Sequence, residues 1–473
     1  MSTPSPILIW FRRDLRLSDH AALSEAAQSG QPVIPVFIRD PVVDSLGAAP
    51  RFRLGLGLAR FAQSLADRDS RLILRSGDAL ETLQNLIRET GAGAVYWSRL
   101  YDPDSVERDT RIKSELKSQG MTARSFGGHL LFEPWSVETG SGGYYKVFTP
   151  YWKSVKQRDV EAPQPEPSRL VAPDEWPASE TLADWRLDDM MDRGARIVGN
   201  HVDPGEDAAI ARLDQFIEDD VDTYADRRDI PGVDGTSGLS DYLSLGEISP
   251  HRCWHAGLRA RHDGKSGAET FLKELVWREF AYHLMHHTPH ILRTSWREEW
   301  EAFPWETDPD HPHAVAWKQG RTGIEFVDAA MREMYVTGRM HNRGRMIVAS
   351  YLTKHLMCHW KTGMNWFADC LTDWDPASNA MGWQWAAGCG PDASPYFRVF
   401  NPVTQLDKFD RDRRYVRRWI AEDQDTPGED ALAYFKAVPR RWGLSPEDAY
   451  PSAVVSADEG RKRALSAYES RSF

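Results

Sequence analysis

The period of the apolar residues changes once along the chain, and this change limits the fold more than any other feature. Up to about residue 132, short apolar runs alternate with helical stretches: PILIWF, an Ala-rich helix, PVIPVFI, a helix around Arg53 to Ala66, RLILRSG and GAVYWS. Strand and helix in alternation predict an α/β domain over 1–132 with a parallel, doubly wound sheet covered on both faces. From about residue 205 the period is 3.6, as in AAIARLDQFI, GAETFLKELVWREFAYHLMHH, FVDAAMREMY and RMIVASYLTKHLMCHW, which predicts an all-α domain over 205–473. The stretch 133–204 reads as a long linker, because 161–177 (EAPQPEPSRLVAPDEWP) carries five prolines and little periodic pattern. Gly55-Leu56-Gly57 sits inside a helical stretch with Arg60 where a third glycine would be, so it is no dinucleotide fingerprint.

Composition removes several classes. With 473 residues and 41% apolar content the chain can bury large cores, and its length allows about three domains. The start, MSTPSPILIWFRRDLRLSD, has no basic segment followed by a long apolar core, and no run approaches membrane-spanning length, so a cytoplasmic location and no membrane partner are expected. Four cysteines without CxxC spacing read as reduced thiols rather than a disulfide framework. A net charge of -12 repels nucleic acid in general, so any contact with it must be local. Tryptophan is the outlier: of 19, ten lie between Trp277 and Trp385. Packing explains a single indole; the concentration calls for more.

Three places can carry chemistry. Thr236 to Ser249 (TSGLSDYLSLGEIS) offers hydroxyls and a glycine just before a helical pattern, which serves either ordinary capping or a phosphate. Between Glu333 and Asp369 there is no acid, while Arg339, His341, Arg343, Arg345, Lys354, His355, His359 and Lys361 all fall inside. With Tyr351, Met346 and Trp360 interleaved, this predicts a mixed basic and aromatic wall for a flipped base or single strand. Glu274, Trp277 and Arg278 share one helix face, as a surface ion pair beside a packed indole or as an aromatic platform with a carboxylate for a base edge. No metal site is expected: His283, His286, His287 and His290 crowd one helix end, but HExxH and a cysteine partner are missing. A serine hydrolase lacks its G-x-S-x-G elbow.

FRRDLRLSDH, TSGLSDYLSLGEIS, ELVWREF, GRMHNRGRM and WDPASNAMGWQWAAGCGPDASPYFRVFNP together resemble the DNA photolyase and cryptochrome family, in order and over nearly the whole chain. The resemblance is to class I cyclobutane pyrimidine dimer photolyases. It implies an N-terminal α/β antenna domain, a connector and a helical domain that binds FAD. Tyr224, Thr236, Ser237, Gly238, Leu239, Ser240, Arg278, Arg345, Asp373, Trp374, Asp375 and Asn379 match its FAD contacts, with Arg345 paired to Asp373 and Asn379 facing the redox-active ring nitrogen. Trp374 on composition alone reads as packing, like Trp296, Trp300, Trp317 and Trp366. Asn at 379, where plant cryptochromes tend to carry Asp, favours repair over signalling.

Trp383, Trp360 and Trp305 match the electron-transfer chain that photoreduces the flavin. Glu274, Trp277, Asn342, Arg343, Met346, Trp385 and Gln405 match the pocket for the flipped dimer, and Arg228 and Arg398 match residues near the lesion and its phosphates. The implied reaction is light-driven electron transfer from reduced FAD to a cyclobutane pyrimidine dimer in UV-damaged DNA by a monomeric lyase. Photolyases are themselves a standard example of base flipping: they extrude the dimer, whose weak stacking makes extrusion cheap. The His341-Asn342 pair resembles dimer enzymes more than 6-4 photoproduct enzymes. A cryptochrome-like photoreceptor is the rival of another class; family members of that kind typically carry an added C-terminal tail, and YESRSF ends this chain. An antenna chromophore is implied, methenyltetrahydrofolate in preference to a deazaflavin, with Leu292 and Arg293 where a folate-binding relative has Cys and Lys, and Asp102 for its Glu.

Overall fold

The computed structural model describes residues 4–191, 193–392, 395–396 and 398–473. Five parallel strands, β1 (Ile7–Phe11), β2 (Val33–Arg39), β3 (Ile73–Ser76), β4 (Ala94–Ser98) and β5 (Thr122–Phe126), lie in the order β3-β2-β1-β4-β5. In the central strand, side chains alternate between two covered faces. Ile7, Ile9 and Phe11 join a core with Leu54, Leu58 and Phe61 of the Ala48–Ala66 helix, whereas Leu8 and Trp10 join Leu83 and Leu86 of Ala79–Thr90 and Ile112 of Pro103–Ser118. Burial on both faces is why β1 reads as one unbroken apolar run. β5 is an edge strand, TARSF, with only Ala123 buried, and so carries no apolar signal. The doubly wound α/β expectation and the helical second domain both agree with the structure.

The stretch 133–204 is a strap held at several points. It contains the Phe148–Val155 helix, with Phe148, Tyr151, Trp152 and Val155 in the helical domain's core, while Leu170, Trp185 and Leu187 pack on the α/β core. Between these anchors, 161–177 has no helix or strand.

The two domains meet at the carboxyl end of β1. There Arg16 donates to the Gly246 carbonyl at 2.9 Å and Arg13 to the Ser244 carbonyl at 2.7 Å. Arg53 and Glu247 form a fully buried ion pair across the interface, with Nη1 to Oε1 at 3.0 Å. Gly57 makes room for it, since a Cβ there would sit 2.9 Å from Glu247 Oε1. The central helix, Ala268–His287, is buried on all sides from Glu279 to Met285, while Lys273, Glu274, Trp277 and Arg278 of its first half stay partly open. Pro376–Ala387 packs against it, Asn342–Ser350 and Trp360–Cys370 pack against Pro376–Ala387 in turn, and these three supply most of the candidate site.

Candidate functional site

Arg345 and Asp373 are the anchor of the candidate cofactor cleft. Arg345 Nη2 donates to both Asp373 oxygens, at 2.9 and 2.7 Å, and its Nε donates to the Met340 carbonyl at 2.9 Å. Buried Tyr224 and the segment Thr236 to Ser240 contribute another part. Gly238 has φ +65°, a conformation open to glycine, and among the described residues neither the hydroxyls of Thr236, Ser237 and Ser240 nor the Ser237 and Gly238 N–H groups find a hydrogen-bond partner. Arg212, which the sequence reading missed, clamps this loop by donating to the Ser237 and Thr236 carbonyls at 2.8 and 2.6 Å. Its guanidinium lies against Gly238. Free donors and a cation at a glycine turn suit a pyrophosphate. The helix that follows, Ser240–Leu245, is short, so hydroxyls and cation matter here more than a helix dipole.

Asp375 caps the Pro376–Ala387 helix by accepting from the Ser378 N–H at 2.9 Å. Burial alone would raise its carboxyl, but the guanidiniums of Arg13 and Arg278, the Tyr282 hydroxyl and the Ser378 N–H hold it below the ordinary value. Arg278 reaches this cofactor set only indirectly. Its guanidinium donates to the His129 carbonyl at 2.9 Å and packs over the ring of Tyr282, whose hydroxyl donates to Asp375. One helical turn past Asp375, Asn379 Nδ2 donates to the Met364 carbonyl at 3.0 Å, which turns its amide oxygen the other way. Trp374 is half-buried against the domain core, with its indole N–H unpartnered among the described residues.

Trp383 lies at i+4 from Asn379, on the same helix face. Its ring meets Phe367 edge-on at 4.9 Å and Trp317 at 5.8 Å. It also sits against Gly363, one turn along the helix that starts at Trp360. His359 joins Trp360 to Trp305, with ring centroids 5.3 and 5.2 Å away. Trp305 in turn stacks on Trp300 at 5.9 Å. Trp360 and Trp305 are thus joined through His359 in one buried aromatic seam, and Trp383 lies one turn along the Trp360 helix, against Gly363. Trp317 and Trp300, read from sequence as packing, touch two of them.

Several of the predicted substrate residues are brought together in more open surroundings. Arg228 Nη1 donates to Glu274 Oε1, and the neighbouring Asp229 pairs with Arg343 at 2.7 Å. Arg343 packs over Phe409 at 4.3 Å and contacts Met346 Sδ at 3.8 Å. Gln405 lies one turn before Phe409 on Pro402–Phe409, and exposed Asn342 lies one turn before Met346. Half-buried Trp277 is stacked flat on Phe148, with centroids 3.6 Å apart and planes within 7°. Trp385, Lys354 and Arg398 line one small cavity, with Lys354 Nζ donating to the Arg398 carbonyl at 2.7 Å. Burial, then the Arg398 charge, lowers the Lys354 ammonium to about 7.

The acid-free run does not form the expected basic wall. Arg339, Arg343, Arg345 and Lys361 are paired with Asp241, Asp229, Asp373 and Glu301, and Lys354 and His355 are buried. A run free of acid in sequence draws its counter-charges from distant segments. Exposed Arg398 is a separate cation. The histidine cluster packs rather than ligates. The Tyr145 N–H donates to His283 Nε2 at 3.0 Å, Tyr144 stacks on His287, and no group able to hold a metal ion occurs among the described residues. At the expected antenna cleft, Arg293 pairs with Asp104 at 3.0 Å across the two domains, and Asp102 caps the Pro103–Ser118 helix. Leu292 packs beside Tyr101. No helix among the described residues is long and apolar enough to cross a membrane.

Comparison with known proteins agrees with this arrangement. Residues 7–168 match the DNA photolyase family, and residues 271–470 match the FAD binding domain of DNA photolyase. The chain is 44% identical over 470 residues to a deoxyribodipyrimidine photo-lyase of Agrobacterium fabrum, covering 98% of each. Its fold is similar to that of a bacterial class III photolyase from Agrobacterium tumefaciens, with TM-score 0.91, 43% identity and coverage of 99% and 98%. It is also similar to a cryptochrome of Synechocystis, with TM-score 0.84, 26% identity and coverage of 98% and 100%.

Proposed function

Since the chain belongs to the DNA photolyase and cryptochrome family, we propose that it is a light-driven lyase that splits cyclobutane pyrimidine dimers in UV-damaged DNA. The observation that carries the reading is the Asn342–Ser350 helix. On one side Arg345 holds Asp373 of the cofactor cleft; on another, Arg343 and Met346 join the Arg228, Asp229 and Glu274 cluster. Cofactor set and substrate set therefore lie within one helical turn of each other, as transfer of an electron between two bound groups requires.

FAD fits the cleft through its free hydroxyls, the Arg212 clamp and the Arg345–Asp373 pair, and when bound and reduced it supplies on illumination the electron that opens the dimer's ring bonds. The residues of the chain bind, orient and exclude water. Trp277 and Trp385 offer flat faces to an extruded dimer, the Arg228–Glu274 pair presents a cation and an acceptor to its base edges, and Arg398 faces a phosphate. The Arg228 cation also compensates the negative charge that the dimer carries between its gain and return of one electron. The Trp383, Trp360 and Trp305 seam would pass electrons singly toward the oxidised cofactor, each oxidised indole being re-reduced by the next and the last by an external thiol reductant, since oxidisable indoles divide one long tunnelling step into short ones.

For the antenna we propose a folate. The Asp102, Leu292 and Arg293 positions face one another across the domains, and Tyr101 and exposed Trp135 offer aromatic rings beside them. The class I expectation is not carried forward, because the similar Agrobacterium tumefaciens structure is described as class III. The deciding assay measures dimer content in DNA with purified, reduced protein under blue light and in the dark. Light-dependent loss of dimers is expected; dimers that persist, with 6-4 photoproducts removed instead or no repair at all, sink the proposal. An absorption spectrum identifies the antenna.

A further inference from the structure

The strap between the domains does more than connect them. Along one face of the Ala268–His287 helix, three of its residues take successive holds in antiparallel order. Tyr144 stacks on His287 with centroids 4.9 Å apart and planes 9° apart, the Tyr145 N–H donates to His283 at 3.0 Å, and Phe148 lies flat on Trp277. The opposite edge of the same strap is bonded to a different segment. Asp392 N–H donates to the Lys146 carbonyl at 3.0 Å, and the Phe148 N–H donates to Asp392 Oδ1 at 3.1 Å. Asp392 has φ +61° and stands seven residues beyond Trp385. Five consecutive strap residues thus join the helix bearing Trp277 to the segment that follows Trp385.

We propose that residues 144–148, with Asp392, are a clasp that fixes the two tryptophan walls of the lesion pocket relative to each other, and that Phe148 is a positioning residue for lesion binding. The inference rests on the reading of Trp277 and Trp385 as pocket walls. An indole on a helix surface has several staggered orientations. With a phenyl ring centred 3.6 Å from it and parallel within 7°, Trp277 keeps one orientation and one free face. A base can stack only on that face. Phe148 is itself buried and rooted in the Phe148–Val155 helix, so the hold does not depend on a mobile ring. A pocket whose walls are already placed loses less freedom when the dimer enters, which favours binding of the dimer over undamaged DNA.

The test uses the flavoprotein and three variants. Phe148→Leu keeps apolar volume but removes the flat face, and Phe148→Tyr restores it. Dimer-containing duplex should bind Phe148→Leu about fivefold to tenfold more weakly in the dark, the cost of one ring left unfixed. Undamaged duplex and flavin absorption should stay as in the wild type, and Phe148→Tyr should regain full affinity. The second measurement is hydrogen exchange without DNA on Phe148→Leu and on Asp392→Gly, which accepts the left-handed backbone but loses the carboxylate. In both, exchange should rise together at 144–148, at 271–277 and at 388–392. Unchanged dimer affinity in Phe148→Leu, or exchange that rises at the strap alone, overturns the clasp. If the wild type itself does not distinguish dimer from undamaged DNA, it is the pocket reading that fails, and the exchange pattern by itself decides whether the strap couples the two segments.

Discussion

The two groups of tryptophans in the helical domain are made of the same side chain and are held in opposite ways. Trp383, Trp360 and Trp305 are 2, 0 and 6% exposed, enclosed on every side, and two of them have their indole N–H satisfied, on Ser295 Oγ at 3.2 Å and on the Thr353 carbonyl at 3.0 Å. Trp277 and Trp385 are half-buried; Trp277 is backed by the Phe148 ring, and Trp385 lines a small cavity. A seam that carries charge, as proposed, needs rings that are close, rigid and dry, because the charge must not wait for solvent to rearrange. The pocket needs a bare face, because its partner arrives from outside. Composition counts the two groups alike; only burial separates them.

The sharpest way to break this division is to change one ring in each group and look for crossed effects. Trp360→Phe should abolish photoreduction of oxidised FAD while leaving dimer repair by chemically reduced protein largely intact. Unchanged photoreduction, followed by flavin absorbance under blue light, would remove Trp360 from the seam. Trp277→Ala should do the reverse. With one stacking face gone, worth about 1–3 kcal/mol per base, dimer affinity should fall roughly tenfold to hundredfold. Photoreduction should be untouched. A gel-shift titration and a photoreduction trace on each variant give the four numbers, and a variant that impairs both would show that the groups are not independent.

What the sequence made legible follows the same line. Both domains were readable because their apolar periods are long and regular, and β1 was readable because two-sided burial removes alternation. β5 was not, since an edge strand such as TARSF needs no apolar run. In the site, the Arg345–Asp373 pair came from motif resemblance, and the structure contains it. Arg212, Arg13 and Phe148 were missed for one reason. Each acts on a partner far away in sequence, Arg212 on the 236–238 loop, Arg13 on Asp375 and Phe148 on Trp277. The basic island failed in the same way, because its counter-charges come from other segments. Trp317 and Trp300 looked like packing and are packing, yet they touch the seam.

A smaller effect tests how tightly the seam is built. A Cβ on Gly363 would lie 2.0 Å from the Trp383 ring, an approach that only glycine permits. Gly363→Ala should therefore push Trp383 off its place and destabilise the protein by about 1–3 kcal/mol, the usual range for overpacking a close-packed core. Denaturant midpoints check the stability and flavin bleaching checks the seam. Gly382, on the exposed side of the Pro376–Ala387 helix and with nothing within 4 Å of its Cβ, is the control. There Ala should be neutral or slightly stabilising, because glycine is the poorer helix former.

The smallest effect belongs to the strap behind the pocket wall. His283 accepts the Tyr145 N–H, which only an unprotonated Nε2 can do. Burial, then the neighbouring His287 ring, lowers its imidazole from the ordinary 6.5 to about 4, against a weaker opposing pull from the Pro134 carbonyl. Above pH 6.5 the ring is neutral in folded and unfolded chains alike and pH has no leverage. Between about 6.5 and 4 the unfolded chain takes up a proton that the folded one refuses, so stability falls as pH falls, by at most about 1.4 kcal/mol per pH unit for this one ring. Below about 4 both forms are protonated and the slope ends. His341, His355 and His359 are also lowered to about 4, so the whole protein should weaken in acid. His283→Gln isolates the strap, since its amide oxygen can accept the Tyr145 N–H and does not titrate. Urea midpoints for wild type and His283→Gln at pH 7 and pH 5 should converge as pH falls if His283 is the wild type's share of that slope, whereas parallel slopes would mean that the strap is held by the Phe148 and Tyr144 stacks alone.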